Sequence, residues 1–518
     1  MERNIILNID INSATCPFLF NVMKDRYVKE ETLYPFVDQY IDLINGKETQ
    51  IGAIAFNTFC QFSSVASKYM TDTTIYAEKK LANGDDVSKK WYFAFYRMNH
   101  EFGIEPWGIW IKRCKERGVE AWLSLRMNDA HDTDYEECLK DEFAFRAKWN
   151  GYAIGDKYGY YWKCLDYAYP EVRERFLGLI EEQLFMYDVD ALELDFMREI
   201  WCFDYLNNPD CFLIMNDFLR EVKKIVLSAE EKYNHKIKLS VRLPRDIKQC
   251  KVWGFDVETW NEEKLVDHIT VTPRWSSSDS DMPINEWINR FPNIEIAAGI
   301  ETLLRFDDLR RPDGSVPHLD ADMVNGLAAN YFSQGAKQIN LYNYFNMPIT
   351  NQSENCADSL PLHNLRTADV LSRSGDIETV LSSKRRHVVM YQDIVPEGFK
   401  RFKPLPLNLE ETDGIINIQT GKIPHGAKAQ LHLGFSKGCP ESTRIFLNGS
   451  EYCDFVSASS MILTESSGCP LIIKENAHIP EGSTLYKCQI NLENAGDVQT
   501  ISFAKGSAEI THAEIIIE

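Results

Sequence analysis

The run Val189-Asp190-Ala191-Leu192-Glu193-Leu194-Asp195-Phe196-Met197-Arg198-Glu199 sets two carboxylates two residues apart in a stretch of strand length. Successive strand side chains point to opposite faces, so Glu193 and Asp195 share one face while Leu192, Leu194 and Phe196 share the other. The apolar face requires a covering layer. The acidic face requires water, a cation or a substrate, because an unpaired buried carboxylate is too costly to keep. A further carboxylate, Glu301, closes the small-residue run Ala297-Ala298-Gly299-Ile300. Two carboxyl groups that face each other can cleave a glycosidic bond. One protonates the leaving oxygen while the other attacks the anomeric carbon or activates water, at separations of about 5–5.5 Å for retention and about 6.5–9.5 Å for inversion.

The elements that must position these groups follow a regular alternation. Apolar or β-branched runs predict strands over 5–11, 51–57, 119–126, 189–199, 237–243, 267–274, 294–301 and 338–344. Amphipathic stretches predict helices over 31–44, 106–117, from 170 onward, 210–233, 256–265, 283–291 and 320–335, with a long excursion over 58–105. Such an alternation specifies a parallel sheet, and eight strands close as a (β/α)8 (TIM) barrel. An open doubly wound sheet is the alternative, but no glycine-rich phosphate loop follows strand one. After about residue 385 helical patterns vanish and Gly, Pro, Ser and Asn punctuate short alternating runs, which read as an all-β sandwich. The expected division is a catalytic barrel over 1–385 and a β-sandwich domain over 386–518. The sandwich shows no carboxylate pair and is read as a structural appendage, with carbohydrate binding as the sharper alternative.

Barrel enzymes carry their catalytic groups at the C-terminal strand ends, on the inward face. Phasing each strand by its small or polar face turns inward Asn8 and Asp10, then Trp122, Ser124 and Arg126, then Ala191, Glu193 and Asp195. The later strands contribute Lys238, Ser240 and Arg242; Thr270, Thr272 and Arg274; Ala297, Gly299 and Glu301; and Asn340, Tyr342 and Tyr344. This lining is far more polar than a purely structural barrel needs. Strands four and seven face one another across the ring, so Asp195 and Glu301 form the expected catalytic pair, with Asp195 as nucleophile and Glu301 as general acid/base. The bland alternative pairs both with Arg126, Arg242 or Arg274. Glu193, one step deeper, is expected to partner Arg242 or Arg126 and hold the reacting groups in place.

Substrate contacts are expected from Asp10, Asn57, Arg126, Asn128, His131, Glu193, Arg198, Arg242, Arg274, Trp275 and Tyr342. Trp275 and Tyr342 are the best placed rings for stacking on a sugar face, ahead of Trp91, Trp162 and Trp201, which are more often core. Arg126, Arg198, Arg242, Arg245 and Arg274 either compensate the acids or select a substrate bearing carboxylate or sulfate, which guanidinium matches bidentately.

A formal charge of -21 without a basic block argues against nucleic acid and anionic membranes as partners. Thirteen scattered cysteines lack metal-ligand spacing and suit a reduced compartment. No run has the length of a membrane span. The expected location is the cytoplasm, or the periplasm if an export signal has been removed. No metal and no cofactor is expected. Strand one lacks the His-x-His of metal-dependent barrel hydrolases, strands three and five end in arginines where an enolase-type site needs carboxylates, and Lys238 lies too deep for a Schiff base.

Strand four, with Glu193-Leu194-Asp195-Phe196-Met197-Arg198 after Asp188-Val189-Asp190-Ala191, together with Leu123-Ser124-Leu125-Arg126-Met127-Asn128-Asp129-Ala130-His131, resembles a group of (β/α)8-barrel glycoside hydrolases of gut-type carbohydrate-degrading bacteria. The resemblance covers roughly residues 4–385. More distantly the chain is similar to the α-galactosidase and α-amylase groups, which implies the strand-four aspartate as nucleophile. It departs from the large retaining clan in lacking Asn-Glu on strand four. It departs from the α-galactosidase group in placing Arg274-Trp275 where an acid would stand. The resulting expectation is a retaining, exo-acting glycosidase whose long loops after strands two and three wall a pocket. The alternatives are a non-catalytic carbohydrate-binding protein on a barrel scaffold and a metal-dependent barrel hydrolase.

Overall fold

The computed structural model describes residues 2–10, 28–41, 43–44, 47–59, 62–86, 91–129, 164–274, 278–302, 319–344, 365–391, 395–399, 404–410, 412–458 and 484–518. Eight strands close into a barrel: β1 (Ile5–Ile9), β2 (Ile51–Phe59), β3 (Glu120–Arg126), β4 (Ala191–Asp195), β5 (Lys238–Leu243), β6 (His268–Val271), β7 (Glu295–Glu301) and β8 (Gln338–Tyr342). All neighbours pair in parallel, and β8 returns to β1. This is the expected (β/α)8 barrel. Its floor is filled by Ile6, Ala53, Ala55, Trp122, Ala191 and Ala297, packed on the axis. Leu192, Leu194, Val241, Ile269 and Ile300 turn outward into the larger core shared with the helices.

Local chemistry sets the ends of the elements. Helix Pro106–Glu116 starts where the Glu105 carboxylate accepts from Trp107 N and Gly108 N, takes a proline in its first turn, and stops at Gly118 with φ +65°. Helix Cys211–Tyr233 ends at Asn234 in the left-handed region. β4 is shorter than the 189–199 its pattern suggests. The Asp195 carboxylate reaches forward to accept from Met197 N at 2.9 Å and Arg198 N at 3.0 Å, and these bonds fold the following residues into a turn. β6 likewise stops at Val271, shortly before Pro273, which has no N–H to offer a ladder. The 58–105 excursion contains helices Thr73–Ala82 and Trp91–His100, the first capped by Asp72, whose side chain accepts from Thr74 N and Ile75 N.

The C-terminal strands form two antiparallel sheets. One runs in the order Arg385–Val388, Glu509–Ile517, Ala429–Lys437, Thr484–Ile490, Val456–Ala458, and the other Gly414–Gln419, Val498–Phe503, Ile445–Leu447, Ser450–Tyr452. Leu431, Leu433, Ile445, Ile501, Ile510 and Ile515 fill the space between them, as expected for a sandwich. The eight described cysteines are free thiols. Among the described residues no helix is long and apolar enough to cross a membrane.

A buried charge joins the two units. Arg386 donates from Nη1 to Asp320 Oδ2 at 2.8 Å, from Nη2 to Glu514 Oε2 at 3.1 Å, and from Nε to Glu514 Oε1. Asp320 also caps helix Ala321–Ser333 by accepting from Met323 N. On that helix Gly326 lies so close to the first sandwich strand that a Cβ there would collide with the Arg386 carbonyl. Burial opposes a charge on Glu514, but Arg386 and His512 outweigh it and hold the carboxyl far below the ordinary glutamate range. A depressed carboxylate contributes stability above its unfolded-state value and loses it as pH falls, so this contribution declines below about pH 4.3. Arg386→Met strands two buried carboxylates and is expected to cost about 3–5 kcal/mol in urea unfolding at neutral pH. The variant is also expected to lose the part of the acid sensitivity that Glu514 confers.

Candidate functional site

In an eight-stranded barrel the inward side chains stack in layers of four drawn from alternate strands. The registers place Ala55, Glu193, Thr270 and Asn340 in one layer, with Asn8, Ser124, Arg242 and Gly299 above it. Asn57, Asp195, Thr272 and Tyr342 form the next layer, and Asp10, Arg126 and Glu301 rise at the rim. Gly299 has no alternative residue here, because a Cβ would run into Thr272.

Asp195 is fully buried and takes three donors: Met197 N and Arg198 N on Oδ1, and Arg242 Nη1 on Oδ2 at 2.7 Å. Arg242 lies with its guanidinium carbon 3.9 Å from the centre of the Tyr342 ring, a cation–π contact, and its Nη2 reaches Thr272 Oγ1 at 3.4 Å. Tyr342 itself is buried. Burial raises the pKa of its phenol against the pull of Arg126, Arg198 and Arg242. Glu301 accepts from Asn343 Nδ2 at 2.8 Å, and its backbone carbonyl accepts from Ser278 Oγ at 2.8 Å. Asn343 adopts φ 53°, in the left-handed region, just past β8.

Glu193 departs from its expected partners. It accepts from Ser124 Oγ at 2.8 Å, and Ser124 in turn accepts from Asn8 Nδ2 at 3.3 Å. Arg242 acts on Glu193 only through its field, because Asp195, one layer higher, holds the guanidinium. Burial pushes the Glu193 carboxyl up to about 7, with Arg242 opposing and Asp195 reinforcing the rise.

The arginines are compensated by carboxylates, but mostly by different ones from those expected. Arg126 donates to Asp129 Oδ2 at 2.7 Å, and Arg198 Nε stands 3.6 Å from the same oxygen. Arg274 donates to Glu199 Oε2 at 2.8 Å. Glu199 is fully buried, and burial raises its pKa despite Arg274 and Arg198. Arg245 does not join the site. It pairs with Asp279 at 2.8 Å, in a cluster where Tyr331 donates to the Asp279 carbonyl. Asp129, Glu199 and Asn343 are thus site residues that the strand phasing passed over. All three sit just beyond strand ends, and the adjacency of Arg198 and Glu199 was the available signal.

Two of the expected substrate contacts bond to the protein's own chain. Asn128 is fully buried and serves the chain itself: its Nδ2 donates to Leu165 O at 3.0 Å and Trp201 O at 2.9 Å, and its Oδ1 accepts from Leu165 N at 2.8 Å. Asn57 is buried in the layer of Asp195. Oriented by its surroundings, its amide donates to Phe59 O and accepts from Arg126 Nε, both at 2.7 Å. It therefore helps to set the Arg126 side chain. Asp10 stands partly exposed past the end of β1. His131, Trp162 and Trp275 lie outside the described residues, and Trp201 packs edge-on against Trp253 at 5.4 Å. Among the described residues no group of three or more His, Cys, Asp or Glu is placed to hold a metal ion.

Fold and site together define a (β/α)8 barrel with a carboxylate- and arginine-lined mouth. No family model and no curated protein matches the sequence. Among solved structures, the chain is similar to α-L-fucosidase isoenzyme 2 from Paenibacillus thiaminolyticus, at 10% identity and a TM-score of 0.42 over 74% of this chain and 51% of that one. The chain thus spans about half the length of that enzyme. It is also similar to a bacterial fucosidase solved with an iminocyclitol inhibitor, at 10% identity and a TM-score of 0.36 over 97% of this chain and 93% of that one. A family 18 N-acetylglucosaminidase from Paenibacillus barengoltzii gives 9% identity and a TM-score of 0.33 over 72% and 99% of the two chains. At these levels of similarity the functional reading rests on the site alone.

Asn128→Ala leaves Leu165 N, Leu165 O and Trp201 O without their partner inside the protein. It is expected to cost roughly 2–4 kcal/mol in urea unfolding. A ligand-contact role would instead leave stability within about 0.5 kcal/mol of the parent.

Proposed function

We propose that the protein is a glycoside hydrolase working at the C-terminal mouth of the barrel, with Asp195 as nucleophile and Glu301 as general acid/base. The observation that carries this reading is the pair of buried carboxylates ending β4 and β7 on the inward face. Three donors converge on Asp195, which suits the acceptor-only character of a carboxylate and fixes its direction before substrate arrives. Glu301 accepts from the neutral Asn343 amide, a partner compatible with either protonation state of a group that must give and take a proton. Attack by the strand-four carboxylate makes the reaction retaining, through a glycosyl-enzyme intermediate. The helices inserted after β2 support the reading of a walled pocket and hence of action at chain ends.

The substrate in this reading is a carbohydrate. Because Arg126, Arg198, Arg242 and Arg274 all face carboxylates of the protein, a neutral glycan is favoured over one carrying carboxylate or sulfate. Equal or better binding of neutral sugars than of uronic acids in calorimetry is the expected outcome. A second reading, a barrel that binds sugar without cleaving it, draws on the same three bonds to Asp195, since a structural anion would be held this way too.

On an activated aryl glycoside, Asp195→Asn and Glu301→Gln are each expected to lower kcat by about a hundredfold to ten-thousandfold in protein that still folds, with Asp195→Asn also less stable because it leaves the buried Arg242 guanidinium unmatched. Azide should restore turnover of Asp195→Asn with a glycosyl azide of inverted configuration. That product from Glu301→Gln instead would exchange the two roles. No turnover by the parent protein on any member of a broad glycoside panel would leave the binding protein as the answer.

A further inference from the structure

Below Asp195 and Arg242, the layer of Ala55, Glu193, Thr270 and Asn340 is unusually polar for the interior of a barrel. All four residues are fully buried. Glu193 Oε2, Thr270 Oγ1 and both amide atoms of Asn340 have no hydrogen-bond partner among the described residues. An orphaned polar atom is costly in such a place, so four together call for a partner that the described residues do not supply. The four come from alternate strands of one layer and converge on the axis, where Ala55 contributes only a methyl group.

We propose that this layer is a buried hydration site, in which ordered water bridges Glu193, Thr270 and Asn340, exchanges a proton with Glu193, and lets Arg242 carry the change of charge to Asp195. Water is the fitting occupant because it can donate to Glu193 Oε2 and Asn340 Oδ1 while accepting from Asn340 Nδ2 and the Thr270 hydroxyl. A metal cation would satisfy the oxygens but not the amide N–H groups. The charged groups facing Glu193 are Arg242 on β5 and Asp195 on its own strand, with the Ser124 hydroxyl on β3. On the axis below, His268 bonds Ser240 through Nδ1 at 2.8 Å and, with burial holding its pKa near 3, stays neutral.

Arg242 sits one layer above Glu193 and bonds Asp195, one layer higher still. With Glu193 protonated, the guanidinium faces one carboxylate. When Glu193 gives up its proton, which the water passes on to bulk solvent, two carboxylates share one guanidinium and the field at Asp195 becomes more negative. Glu193 is thus a positioning residue for charge, acting through Arg242. The consequence for turnover rests on the glycosidase reading. A more negative site stabilises an oxocarbenium-like transition state, so kcat should rise between pH 6 and 8, while Glu193→Gln, fixed in the neutral form, should show a flat profile with KM unchanged.

The decisive experiment does not use turnover. Infrared difference spectra across pH 5–9 should show a protonated-carboxyl band that titrates near neutrality in the parent protein and is absent from Glu193→Gln. Asn340→Leu and, separately, the near-isosteric Thr270→Val should move its midpoint to higher pH, because the ionised form loses its water. Asp195→Asn should move it to lower pH, since removing one carboxylate leaves Arg242 to Glu193 alone. A crystal structure should show water on Glu193 Oε2. A midpoint unmoved in both chamber variants overturns the hydration site, and one unmoved in Asp195→Asn overturns the coupling. Inactivity of the parent protein on every glycoside would remove the glycosidase reading and leave these titrations to decide the proposal.

Discussion

A guanidinium on the axis of a barrel has to be matched by an anion, and the geometry of the mouth follows from how Arg242 is matched. Taking either ion out of water costs several kcal/mol, and their attraction offsets this only when the geometry is good and the remaining lone pairs are bonded. Asp195 meets both conditions by accepting Arg242 on one oxygen and two backbone N–H groups on the other. Those N–H groups belong to residues that would otherwise extend β4, so the same carboxylate that neutralises the arginine ends the strand. The turn it makes delivers Arg198 and Glu199 to the rim. Tyr342 then closes the other side of the guanidinium with its ring.

Charge alternates through the rest of the site. Arg126, Asp129, Arg198, Glu199 and Arg274 succeed one another with opposite signs facing, and Glu301 accepts from the Asn343 amide. Among the described residues each of these arginines thus faces a carboxylate of the protein. The carboxylates differ in what holds them: Asp195 accepts from a guanidinium and two backbone N–H groups, whereas Glu301 accepts from the Asn343 amide.

The barrel was legible because its signals are periodic. Alternation fixes which strand face is polar, and Glu193, Asp195, Arg242, Glu301 and Tyr342 all point where their strands say they should. The partners of these residues were not legible in the same way. Asn128 carries the chemistry of a sugar contact, yet its amide spans Leu165 and Trp201, segments whose approach depends on tertiary folding. Glu199 and Asp129 lie in turns with no period to phase them. β4 ends before its pattern does because a single side chain, Asp195, overrides the strand propensity of Phe196 and Met197 by accepting from the backbone of Met197 and Arg198. Sequence patterns report faces, whereas hydrogen-bond partners are settled by which loops meet.

The trio of Asp320, Arg386 and Glu514 has a consequence for the order in which the chain can be completed. Glu514 leaves the ribosome 128 residues after Arg386, and until it arrives the arginine has one of its two carboxylates. The flank of helix Ala321–Ser333 around Gly326 and Leu327 also waits for strand Arg385–Val388, which is itself held in its sheet by Glu509–Ile517. A nascent barrel therefore presents an unfinished outer seam throughout synthesis of the sandwich. The seam is covered only when the last strand of the sandwich is in place, so barrel and sandwich are completed together.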